Sequence, residues 1–234
     1  SEITSQFGDH VMDATDAWSL LITDATQLSG LPDSALSLAK QAAESQGKEG
    51  YLLTLDAPSY TPVMVHCENR SLRKQLSMAM TTRASDKGPQ AGQFDNSQLM
   101  VQILNLRKEL AQLLSFSNFA EQSLTTKMAD TPAQVIDFLN DLAAKSKSAA
   151  QSEFAALEAF AHQHYGVEVL ESWDVAFYSE KQKSALFDIS DEQLRAYFPA
   201  PVVISGMFKV VNKLFGIEVK ETFDMTTWHA DVTT

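Results

Sequence analysis

Apolar residues in this chain recur mainly at steps of three and four. A Gly/Pro/Asp/Asn loop, Ser85 to Asn96, hands over to Leu99, Ile103, Leu106, Leu110 and Leu113. That spacing is the stripe of one buried helical face. A second short helix follows Phe116. Near the start, Ile3, Phe7, Val11, Ala14, Trp18, Leu21, Ala25 and Leu28 form an almost strict heptad stripe, which predicts a helix over about 2–29 stopped by Gly30. A narrow seam of this kind suits a coiled-coil partner or packing within a bundle; its short length favours the bundle.

Pro32 sits where a first helical turn tolerates proline, so a helix is expected to run to about Gln46 before Gly47. Tyr51 to Asp56 is rich in strand formers and lies between Gly50 and Pro58. Pro58 and Pro62 open a short helix to about His66, and Asn69 caps the next, about 70–84. Thr131-Pro132 pairs a cap with proline at the first helical position. From there to Gly166 the apolar pattern stays helical, through Val135, Phe138, Leu142, Phe154, Leu157 and Phe160. One helix over that length is roughly 50 Å long, unless the polar centre, Ala143 to Ser152, breaks it. Trp173 to Phe187 and Val202 to Phe215 are further helices, and Ser190 with Gln193 has capping-box spacing for a short one between them. Ile217 to Glu221 alternates apolar and polar. The expected class is mainly α: a bundle-like helical scaffold, probed by strands only at about 51–56 and 217–222. Residues 1–234 read as one continuous unit, with a candidate hinge at 166–173.

The formal net charge of −12 opposes binding to nucleic acid or to an anionic membrane surface. No apolar run approaches the ~20 residues a bilayer demands. One cysteine, Cys67, excludes an intrachain disulfide, and with no secretory leader pattern it favours a reducing cytoplasm. The start at Ser1 and the extended-looking end WHADVTT suggest a piece of a longer protein.

Candidate chemistry is sparse. His162 and His164 stand two apart on a helix and do not share a face, so they read as helix-end surface residues. His66-Cys67-Glu68 holds three potential ligands in a row, but neighbours rarely converge on one ion, and a half-buried thiol beside a solvated Glu is the plainer reading. HExxH, CxxC, P-loop and GxSxG patterns are absent. Arg83 to Lys87 reads as an ion-paired turn, and Glu180 and Lys181 near Tyr178 as a solvated face. Asp174 is placed to cap a helix, with Trp173 packing back as a staple.

Five stretches resemble the thimet oligopeptidase family of zinc metallopeptidases: Leu52 to Met64, Thr82 to Ser97, Leu106 to Pro132, Trp173 to Lys183 and Ser190 to Pro199. They run nearly end to end and in order. The resemblance implies an almost wholly helical protein whose two lobes flank a narrow channel that admits short peptides. It also implies zinc held by HExxH and a downstream Glu, the HExxH Glu serving as general base. Those motifs lie, in that family, beyond where this chain ends. No catalytic or metal residue therefore carries over to any position here, and no substrate-binding residue is assigned. The leading expectation is the helical part of a cytoplasmic zinc oligopeptidase, upstream of its catalytic lobe. On its own it would be inactive, hold no zinc and be prone to self-association through Ile217, Val219, Phe223, Met225 and Trp228. The rival is a stand-alone helical module for protein binding or dimerisation.

Overall fold

The first helix stops halfway along the stripe that predicted it. In the computed structural model, which describes residues 2–188, 191–222, 225–229 and 232, helix α1 covers Glu2–Asp16. The chain then turns through Trp18 into strand β1 (Ser19–Ile22) and a 3-10 turn at Ala25–Leu28. The expected helix over 2–29 is thus corrected, and the cause is a distant partner. β1 pairs antiparallel with β2 (Tyr51–Thr54), Ser19 opposite Thr54 and Ile22 opposite Tyr51. Spacing alone admits Trp18, Leu21 and Leu28 to a helix; pairing with β2 decides otherwise. Asp24 then caps the 3-10 turn, accepting from the Thr26 N–H at 3.0 Å.

Helix α2 (Asp33–Ser45) lies against β2, and α3 (Ala57–His66) and α4 (Arg70–Thr81) follow. Asn69 caps α4 as expected, its Oδ1 accepting from the Leu72 N–H at 3.1 Å. Trp18, Ile22, Leu28, Leu53, Leu55, Val63, Cys67, Leu72 and Leu76 form the core shared by these elements. Each large apolar side chain sealed there contributes about 1.5–3 kcal/mol. Gly30 is required at φ +89°: a Cβ would run into the His66 carbonyl oxygen. The chains pass this closely because the Glu68 N–H donates to the Ser29 carbonyl at 2.9 Å.

The loop after α4 is pinned to α1. Asn96 is buried, its Nδ2 donates to the Phe7 carbonyl at 3.0 Å, and its Oδ1 lies 2.9 Å from His10 Nδ1. The expected ion-paired turn at Arg83–Lys87 is corrected: Arg83 donates to Thr15 Oγ1 at 2.6 Å and to the Met80 carbonyl at 3.0 Å. Helix α5 (Ser97–Leu113) forms on its predicted stripe, but that stripe is buried only at its start. Leu99 is sealed, whereas Leu106, Leu110 and Leu113 are exposed, so the expectation of a buried face along the whole helix is corrected.

Helices α6 (Phe119–Leu124) and α7 (Pro132–Tyr165) follow. Thr131 Oγ1 accepts from the Gln134 N–H at 3.2 Å, and Pro132 opens the helix. Its 34 residues run without a break, about 51 Å at 1.5 Å per residue. Gly166 ends it at φ +67°, its N–H closing the Ala161 and His162 carbonyls. Helix α8 (Val175–Phe187) packs its Phe177 and Tyr178 on Leu157 and Ala161 of α7.

Two units divide the chain, Ser1–Ala185 and Leu186–Thr234. The second holds α9 (Asp191–Arg195) and α10 (Ala200–Phe215), the latter ended by Gly216 at φ +68°. The cap at Ser190 lies outside the described residues. Residues 217–222 form no strand, correcting that expectation. Alternation describes a surface; without a partner ladder among the described residues it does not make a sheet. The protein is mainly α, with one two-stranded sheet among the described residues.

Candidate functional site

Chemistry-bearing side chains in the first unit are engaged structurally. Cys67 is fully buried, not half-buried as expected, and its thiol points at the Gln27 carbonyl at 3.5 Å. Burial pushes that thiol's pKa up, so it is neither an activated nucleophile nor a ready metal ligand. Its neighbour Glu68 accepts from Ser29 Oγ at 3.1 Å and lies 3.7 Å from Lys181 Nζ. His164 stacks on Phe160 within α7, ring centroids 4.7 Å apart. Among the described residues no group of three or more His, Cys, Asp or Glu side chains is close enough to hold a metal ion.

Among the described residues, a built polar centre joins α4 to the start of α8. Arg73 is 1% exposed and Asp174 0%. Arg73 Nη2 donates to Asp174 Oδ1 at 2.8 Å, Nη1 to the Cys67 carbonyl at 2.6 Å and Nε to the Trp173 carbonyl at 3.2 Å. Arg70 reaches the same carboxylate from one turn earlier, Nη2 to Oδ2 at 2.6 Å. The Glu171 N–H supplies a further donor at 3.1 Å. Above this, the Arg73 guanidinium lies 4.0 Å from the Phe177 ring centroid, and Lys74 Nζ 5.0 Å from that of Trp173. Burial by itself raises the Asp174 pKa; the hydrogen bonds from Arg70 and Arg73 outweigh it and hold the carboxyl below its ordinary range. Asp174 in turn pushes the Arg70 pKa up. A carboxylate held ionised by two guanidinium groups does not exchange protons near neutral pH, so this centre clamps two helices and performs no acid–base step.

Sequence reasoning singled out Trp173 and Asp174, but as staple and cap. That reading is corrected: the Asp174 side chain faces the two arginines and the Glu171 N–H. The arginines were missed. The available signal was Arg73 on the same face as Leu76, because an arginine on a buried stripe needs an acidic partner.

Two of the hollows among the described residues lie in the first unit. One, about 340 Å³, sits between α1 and α5 with Ile3, Ile103, Leu106 and Arg107 on its walls. The other, about 730 Å³, lies between α6 and the start of α7 and is lined by Asn118, Glu121, Lys127, Asp130 and Thr131. In the second, Asn118 and Glu121 are engaged with each other at the start of α6, and Thr131 caps α7.

Residues 63–234 match peptidase family M3. The chain belongs to this family. Oligopeptidase A of Salmonella typhimurium is 53% identical over 232 residues, which is 99% of this chain and 34% of that relative. Oligopeptidase A of Escherichia coli gives the same identity and coverage. Dipeptidyl carboxypeptidase of E. coli is 29% identical over 98% of this chain and 34% of its own length. The chain thus spans about a third of the length of these relatives, and the M3 match covers α4 to α10, including both arginines and Asp174 of the clamp.

Proposed function

We propose that this chain forms the helical scaffold of a zinc-dependent endo-oligopeptidase that hydrolyses short peptides in a channel between two lobes, in the cytoplasm. The supporting observation is the 53% identity to oligopeptidase A sustained over 99% of the chain, rather than confined to one motif. The residues described here do not fit a catalytic zinc, which needs three convergent protein ligands and an open position. No step through the metal is therefore assigned to any of them. In this reading the ligands and general base come from a catalytic lobe in the part of the relatives this chain does not match. This stretch holds that lobe's surroundings rigid, with the Arg70–Arg73–Asp174 clamp locking α8 onto α4. Its partners are that lobe and short peptides. The charge of −12 opposes nucleic acid and anionic membranes, and the chain by itself would self-associate.

The test is a chimera: Salmonella oligopeptidase A with its matching stretch replaced by this chain. It should cleave a short quenched peptide, lose that activity to a chelator and regain it with zinc, and leave folded proteins uncut. The isolated chain should bind no stoichiometric zinc and cleave nothing. A folded chimera without zinc-dependent cleavage, or an isolated chain with it, overturns the proposal.

A further inference from the structure

Strand β1 leaves one edge of its hairpin with β2 open. The Thr54 N–H donates to Ser59 Oγ at 3.0 Å, so it is turned away from β1. Opposed residues in an antiparallel pair alternate between those that exchange both backbone bonds and those that exchange none. Thr54 stands opposite Ser19 and Leu52 opposite Leu21, so both are pairs that exchange none. Ser19 and Leu21 therefore aim their N–H and C=O groups out from the free side of β1. Among the described residues no third strand lies there, and neither residue makes a backbone hydrogen bond elsewhere. Ser19 is exposed and Leu21 is 38% exposed. We propose that this edge binds a short extended peptide with a basic residue at each end, paired antiparallel with Ser19–Ile22 as a third strand. The inference goes beyond the peptidase reading, since it needs a peptide backbone and no cleavage.

Three observations select that occupant. Outward N–H and C=O groups at alternate residues are matched by extended backbone, not by a helix or an apolar surface. Proteins guard free edges with lysine, proline, bulges or cover, and β1 has no lysine, no proline and no bulge against β2. Its one guard is its length of four residues, which limits the match to a peptide about as long. Exposed carboxylates flank the strand, Asp16 at the end of α1 and Asp24 just past Ile22. The two end residues of an antiparallel peptide pass toward these carboxylates, which favours lysine or arginine there. The same charges oppose a second copy: two β1 edges paired antiparallel would set Asp16 of each toward Asp24 of the other.

The probe is the blocked peptide acetyl-Lys-Val-Thr-Val-Lys-amide, added in excess to the dilute isolated chain and followed by hydrogen exchange resolved to single amides. The Ser19 and Leu21 amides should exchange fast without it and roughly tenfold more slowly at saturation. N-methylation of both valines removes the donors aimed at β1 and should abolish the slowing. N-methylation of the threonine, whose N–H faces away from β1, should leave it in place. Glutamate at both ends of the probe should abolish it, and Asp16→Lys should weaken binding of the lysine probe by roughly threefold or more. Unchanged exchange at Ser19 and Leu21 overturns the inference. So does equal slowing by the N-methylvaline probe, which would place the contact on side chains, or by the glutamate probe, which would remove the charge match. Slowing that grows with chain concentration in the absence of peptide also overturns it, because a second copy then holds the edge.

Discussion

Arg73 and Asp174 meet at 2.8 Å across 101 positions of sequence, both closed to solvent. A buried ion pair is weak evidence of net stability, but breaking one half of it strands a charge in the interior. Asp174→Ala leaves two guanidinium groups facing no carboxylate and should cost about 3–5 kcal/mol. Urea unfolding is the measure. Arg70→Ala should cost only about 1 kcal/mol, because its side chain is 47% exposed and water replaces the lost partner. Equal costs for the two would mean that the exposed arginine carries the clamp.

The same pair sets a pH dependence. Asp174 titrates below its ordinary 3.8 when folded, so its contribution is complete at neutral pH. It is lost as pH falls below 3.8 through the folded value, because the unfolded chain then binds the proton more readily. Unfolding midpoints recorded from pH 7 downwards should drop in acid, and Asp174→Ala should flatten that drop. Asp24 and Asp95 also titrate low, held by Thr26 and Ser97, but both are surface groups with local partners. An acid limb unchanged by Asp174→Ala would place the titrating groups elsewhere.

Two glycines with the same sign of φ should behave differently. Gly166 ends α7 at φ +67° in open space, so Gly166→Ala meets only the left-handed backbone penalty of about 1–2 kcal/mol. Gly30→Ala adds a collision with the His66 carbonyl, which is backbone and cannot swing away. It should lower the unfolding midpoint well beyond Gly166→Ala, by separating the 3-10 turn from the end of α3. Similar losses at the two sites would contradict the close approach at Gly30.

These cases also mark what was legible in the sequence. Signals that act within a few residues were readable: the Asn69 and Thr131 caps, proline at the start of α7, glycine at its end, and the stripe that forms α5. Interactions closed by distant chain were not. Trp18 to Ile22 reads as helix until Tyr51–Thr54 is known to lie beside it. Asp174 reads as a cap until Arg73 is seen to face it. The α5 stripe reads as buried because periodicity reports that a face is apolar, and says nothing about whether this stretch supplies its cover. The family was legible for a different reason, since runs of matching residues carry descent without revealing which of them touch.

Tryptophan fluorescence should separate packed from uncovered regions. Trp18 is 7% exposed in the first core, whereas Trp228 is 88% exposed among side chains that are also open to water, Ile217 at 53% and Met225 at 64%. The emission of the isolated chain should therefore contain a red-shifted component that acrylamide quenches readily. Trp228→Phe should remove that component, shift the remaining emission to the blue and alter stability by no more than about 0.5 kcal/mol, as for other uncovered surface positions. Trp18→Phe should do the opposite, leaving the quenchable component in place while lowering the unfolding midpoint, because it opens space in the core that Trp18 shares with Ile22, Leu53 and Leu76. Concentration supplies a second axis. Exposed apolar side chains gain roughly 1.5–3 kcal/mol each on full burial, so raising the protein concentration should blue-shift the Trp228 component as copies associate. In the chimera with Salmonella oligopeptidase A the shift should occur at any concentration, since the cover is then part of the same polypeptide. A Trp228 that is already blue-shifted and unquenchable in the dilute isolated chain would show that the second unit covers its own apolar surface.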